Sequence, residues 1–205
     1  LFRSDVLSLQ SSHHAPRDGS SFVQSPFFAA GIGRPMVVSN NFMSSQTSFL
    51  FSGVGLRTPS EHRGAWDSLP KTPLVDLPAP MKDSLMFGPP GSFDPAMPAA
   101  SHIANTRAVR AELVDIVSVW HEIVRDVLGK IAVPVHYRHA EMDHLWIVNQ
   151  SEIDGFARAL TKSARVDAAM VRNTGHCMDF HRIGASLHVQ QLGFALQCAG
   201  EQELA

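Results

Sequence analysis

The chain is short of cysteine and of charge. Two Cys, at 177 and 198, are too few for a disulfide framework, and the expected compartment is a reducing one. Charged residues make up 18% of the 205, and the net charge is only −2. That balance gives no electrostatic case for nucleic acid or an anionic membrane surface as a partner. No apolar run approaches the roughly 18 residues of a membrane span, so no membrane-crossing helix is expected and the chain reads as cytoplasmic. There is no internal repeat and no low-complexity tract. The first residue is Leu, and no secretory charged and apolar regions stand at the front. The expectation is a chain that starts inside a longer, processed protein. What is present is 44% apolar, enough for one or two domains with a substantial core.

The residues that carry chemistry gather in two loops. The stretch Asn173-Thr174-Gly175-His176-Cys177-Met178-Asp179-Phe180-His181 follows a short apolar run, 166–171, that reads as a strand. It precedes a helical segment beginning near Ile183. A His after a Gly, in the loop past a strand, is expected on an exposed rim with its ring free. Thirty-three positions before His176 comes Asp143. It ends Ala140-Glu141-Met142-Asp143, in the loop after a strand expected over 131–137, although Pro134 is awkward inside that strand. A loop acid and a loop His from consecutive strands are two members of a nucleophile-activating set.

Here the chain resembles the α/β-hydrolase family. The resemblance rests on Val133-Pro134-Val135 with the following Glu141-Met142-Asp143 loop, on Gly175-His176, and on the order acid then His. It is carried best by 129–205. It implies an α/β fold: a mostly parallel sheet with helices on both faces and a loop-rich cap insertion, of which this chain is the carboxy-terminal part. Residues 1–56 would hold the nucleophile turn and the next strand, 46–53. Residues 57–128 would be the cap and a long helix, and 129–205 the last part of the core.

The family's nucleophile sits in Gly-x-Ser-x-Gly on a sharp strand-to-helix turn. Gly19-x-Ser21-x-Val23 matches the first Gly and the Ser but has Val for the second Gly, a β-branched residue that would strain or tilt the turn. The resemblance therefore implies Ser21 as nucleophile, His176 as base and Asp143 as the acid that orients it. Glu141 stands as the alternative acid. The amide of Phe22 would be one oxyanion donor. In the cap, Met86 and Phe87 would line an apolar acyl pocket or pack the cap on the core. The reaction implied is serine hydrolysis of an ester, thioester, lactone or amide through an acyl-enzyme, with no cofactor and a small acyl compound as substrate. Acyl transfer on the same fold and a non-catalytic binding or assembly subunit are the alternatives. The early strands and the second oxyanion donor are missing, so a second polypeptide is expected to supply them.

The remaining segments are plainer. Most of the thirteen Pro fall in 57–100, which reads as loop-rich. Residues 103–128 read as helix, with Ile116, Trp120, Ile123 and Val127 on one face, His121 and Glu122 toward solvent, and a weak stretch at 106–109 that would allow two helices. A helix over 153–160 has Ser151 as its expected cap. The closing helix is expected over 183–196, with Leu187, Gln191 and Phe194 at turn spacing and a polar tail from Gly200. His136, His139 and His144 crowd around Glu141 and Asp143, but their spacing fixes no helical pair of ligands, and no metal is expected. Cys177 reads either as a nucleophile or as buried filler. Asp179 and His181 would flank the mouth of the site or cap the closing helix.

Overall fold

A computed structural model of the chain describes residues 49–52 and 54–204. The turn with Ser21, Phe22 and Val23 lies outside them. The described part is a mixed α/β structure. Its central element is a parallel three-stranded sheet in the order β1 (Phe49–Ser52), β4 (Val135–Ala140), β5 (Val166–Val171). Phe49 pairs with Val135, and Val135 with Val166, so all three strands start level and deliver their following loops to one end. Parallel neighbours need crossovers, and the chain provides them: 54–134 between β1 and β4, and α6 (Gln150–Ala159) between β4 and β5.

Strand β4 begins one residue after Pro134 and runs to Ala140, later than expected. The shift removes the conflict with Pro134, whose missing N–H would have cost a ladder bond. All six β4 residues are buried. Alternate side chains face opposite ways. Tyr137 stacks on Phe156 of α6, ring centroids 3.7 Å apart. His136 lies against Phe194 of α7 (Gly184–Glu203), at 5.3 Å.

The 57–128 segment is more helical than its prolines suggest. It contains α1 (Ser60–Asp67), α2 (Ala79–Met86) and α3 (Met97–Ser101), followed by a 3-10 turn at His102–Ala104. Proline opens two of these helices at positions where its missing N–H has no partner to lose: Pro80 in the first turn of α2 and Pro98 in that of α3. A two-residue antiparallel pair joins β2 (Leu74–Val75) to β3 (Ala108–Val109). The helix expected over 103–128 begins only at Arg110, since 108–109 is β3, and it divides at Val119 into α4 (Arg110–Ser118) and α5 (Trp120–Leu128). The Ser118 hydroxyl donates back to Val114 O at 2.6 Å, a bond that bends helices, and it stands beside the β-branched Val117 and Val119. The bend gives each half its own buried face. In α4 it is Leu113, Ile116 and Val117; in α5 it is Trp120, Val124 and Leu128. Ile123 and Val127, expected inside, are 41% and 36% exposed. His121 and Glu122 are exposed as expected.

Helix α6 starts earlier than expected and is capped by Asn149, not Ser151: the Asn149 side chain accepts from Glu152 N at 3.0 Å. Helix α7 buries Leu187, Gln191 and Phe194 as expected but continues through the supposed tail to Glu203. Arg165 holds that last stretch, donating to Glu201 and Gln197 at 2.9 and 2.8 Å. No described helix is long and apolar enough to cross a membrane.

Candidate active site

The loops after β4 and β5 are laced together before any side chain of the site is considered. Glu141 N donates to Val171 O at 2.9 Å and Met142 N to Thr174 O at 3.0 Å. Asn173 takes a left-handed conformation, φ 55°, which turns the chain out of β5. Asn tolerates that region better than most residues. Its N–H donates to the Glu141 carboxylate at 2.9 Å. Glu141 is thereby occupied in bracing the turn.

This lacing sets Asp143 against His176. Asp143 Oδ2 lies 2.8 Å from His176 Nδ1, and both side chains are buried. The same oxygen lies 3.2 Å from Nε2 of His139, and Oδ1 accepts from Leu145 N at 2.8 Å. Burial alone would raise the Asp143 carboxyl. The charge of His176 and the hydrogen bonds from His139 and His176 outweigh it and hold the group well below the usual carboxylate range. An ionised Asp143 can only accept, so His176 carries its proton on Nδ1 when neutral. Nε2 is then a free lone pair, buried and without a hydrogen-bond partner among the described residues. That is the arrangement of a general base.

His139 was legible in the sequence only as a member of a histidine cluster. The structure shows that the three histidines do not converge. His136 points to the α7 side, where burial and then the Arg138 charge push it down to about 4. His144 Nδ1 lies 2.7 Å from Ser84 O. His139 reaches Asp143, and its Nδ1 lies 2.7 Å from the Tyr137 hydroxyl, itself 3.0 Å from Val54 O. The usable signal was the two-residue alternation of β4, which puts Tyr137 and His139 on one face, together with the four-residue step from His139 to Asp143.

The expected pocket residues lie beside the His loop. Met86 and Phe87 are each 5% exposed. Met86 O accepts from Cys177 N at 2.9 Å, and the Cys177 thiol lies 3.5 Å from the Met86 sulfur. Phe87 packs against Phe93 and Phe180, with centroids at 4.9 and 6.2 Å. Burial, then the Asp179 and Asp143 charges, push the Cys177 thiol up to about 12. A thiol so placed stays protonated at neutral pH and is a poor nucleophile. Asp179 pairs with His188 at 2.9 Å and does not cap α7, and His181 turns inward. The described residues thus bring Asp143, His176, Met86 and Phe87 into one region, while Ser21 and Phe22 lie outside them.

No protein-family model and no curated protein matches the chain. Among solved structures it is similar to that of Rv0554 from Mycobacterium tuberculosis, with a TM-score of 0.51 and 16% identity. The match covers 79% of this chain, and the chain spans 60% of that one. At that identity the likeness speaks for the fold alone.

Proposed function

We propose that this chain is the carboxy-terminal part of an α/β-hydrolase and acts as a serine hydrolase on an ester, thioester, lactone or amide. The observation that carries the reading is the buried Asp143–His176 bond, which leaves His176 Nε2 unpartnered among the described residues. The parallel order β1-β4-β5 agrees with that fold, as do the contacts of α6 and α7 with consecutive, oppositely facing residues of β4. In this reading His176 Nε2 takes the proton of the Ser21 hydroxyl as its oxygen attacks the substrate carbonyl. Asp143 holds the productive tautomer and stabilises the imidazolium. The Phe22 amide donates to the oxyanion, and His176 returns the proton to the leaving group. Water then repeats the sequence on the acyl-enzyme. Met86 and Phe87 form the apolar wall for the acyl group. No cofactor is required, and the protein works in the cytoplasm. Among the described strands β1 pairs with β4 alone, so its other edge is where further strands, from a second polypeptide, would add.

The burial of His176, 3% exposed, favours one second reading, acyl transfer, because a dry base lets an alcohol or amine outcompete water. The test is labelling of the whole chain by a fluorophosphonate probe, with product analysis in the presence of an added alcohol. Labelling at Ser21 that is lost in His176→Ala, with turnover falling about a thousandfold or more, supports the triad. An unlabelled protein, or labelling indifferent to His176, returns the chain to a binding role.

A further inference from the structure

His181 lies five residues beyond His176 and is 4% exposed, and its ring makes three hydrogen bonds. Its Nε2 lies 2.9 Å from Gly88 N and 3.0 Å from Gly175 N. Backbone amides can only donate, so Nε2 is the acceptor of both. Its Nδ1 lies 2.8 Å from Cys177 O, which can only accept, so Nδ1 carries the hydrogen. The tautomer is therefore determined on every side, and the ring is neutral.

These three bonds join two separate parts of the chain. Gly88 belongs to the strap 86–93 that starts at the last residue of α2, and Gly175 immediately precedes His176. Their backbones touch. A Cβ on Gly88 would stand 2.6 Å from Gly175 N, and one on Gly175 would be closer still to Gly88 N. Only two glycines allow one imidazole nitrogen to reach both amides. Further bonds run along the same seam: Cys177 N to Met86 O, Arg182 N to Ser92 O, and Arg182 Nε to Gly91 O.

We propose that His181 is a positioning residue and a proton-operated latch, holding the 86–93 strap against the loop of His176 while neutral and loosening it when protonated. A proton on Nε2 would turn the shared acceptor into a third donor facing two others. Among the described residues Nε2 faces only these two amides, with no acceptor beside it. The strap 86–93 has no ionisable side chain. On the loop, Cys177 is an uncharged thiol, Asp179 is engaged by His188 of α7, Arg182 is a cation, and His176 is held by Asp143. From α2, Lys82 is the charge felt at this loop, and it too is a cation. Burial lowers the His181 imidazole, offset in part by the bond to Cys177 O. The latch thus stays shut at neutral pH and opens only on acidification. Its effect on catalysis rests on the reading of His176 as the base; the latch itself does not.

The test measures amide exchange in the whole chain, with protection factors at Gly88 and Gly175 taken from about pH 7 to about pH 4.5. The expected result for the wild type is a fall of about tenfold or more at both amides, the equivalent of a lost hydrogen bond. His181→Gln keeps an acceptor that does not titrate and should keep protection at both ends of the range. His181→Phe should lack it throughout. Wild-type protection that stays flat overturns the proposal, as does a Gln variant that falls in parallel with the wild type. If His181→Phe fails to fold, the Gln comparison decides alone. With an ester substrate, the acid limb of kcat/KM should be steeper in the wild type than in His181→Gln. Absence of any turnover would refute the hydrolase reading and leave the exchange result to judge the latch.

Discussion

On the proposed hydrolase reading, replacing Asp143 by Asn should stop turnover without unfolding the protein, and the hydrogen-bond directions around it show why. Asp143 Oδ1 accepts from Leu145 N, so an Asn would place its carbonyl oxygen there and its NH2 where Oδ2 now stands. That NH2 faces His139 Nε2 and His176 Nδ1 and can donate to both. His176 then moves its hydrogen to Nε2, the atom that would accept the Ser21 proton in the proposed reaction. The wrong tautomer should lower kcat by about 10,000-fold. His139 moves its hydrogen to Nδ1, donates to the Tyr137 oxygen, and the phenol donates to Val54 O. The buried network stays satisfied in reverse, and the loss of stability should be about 1 kcal/mol or less. Asp143→Ala is the contrast. It leaves two imidazole nitrogens and the Leu145 amide buried without an acceptor, each costing about 1–3 kcal/mol. Turnover of a p-nitrophenyl ester, with urea unfolding on the same samples, separates the two variants. An Asn variant within tenfold of wild-type turnover would refute the base assignment. An Asn variant as unstable as the Ala variant would refute the network.

Gly175→Ala should cost about 1–3 kcal/mol or more, because the new methyl meets the rigid backbone of Phe87 and Gly88; wild-type stability in urea would mean the strap does not sit on the His loop. Asn149→Ala should cost about 1 kcal/mol through loss of the α6 cap, while Ser151→Ala should cost nothing measurable; the reverse order in chemical denaturation would restore Ser151 as the cap. His136 is lowered to about 4 from an ordinary 6.5, so as pH falls through that window the unfolded chain takes up a proton that the folded chain refuses. Stability should be full above about pH 6.5 and drop by roughly 3 kcal/mol by about pH 4, and His136→Phe should remove most of that slope; an unchanged slope would show that His136 is not held neutral.

Local pattern was enough for some of this molecule. The β5 span was read correctly from its apolar run, because a short run between turn residues has few other ways to fold. The buried side of α7 followed from the spacing of Leu187, Gln191 and Phe194, and the loop positions of Asp143 and His176 followed from strand ends. Other features depended on contacts that no short window contains. The break at Val119 comes from a hydroxyl bond and from two faces that meet different neighbours, so a periodicity count over 103–128 saw its weak stretch at 106–109 and missed the break at Val119. Which of Glu141 and Asp143 meets the Asn173 amide and which meets His176 depended on how two loops lace together. His139 and His181 owe their places to partners at Asp143, Gly88 and Gly175. Composition and spacing can say that a histidine is near a site. Only the packed chain, by setting an acceptor or a donor against one ring nitrogen, decides which nitrogen of His176 or His181 holds the proton.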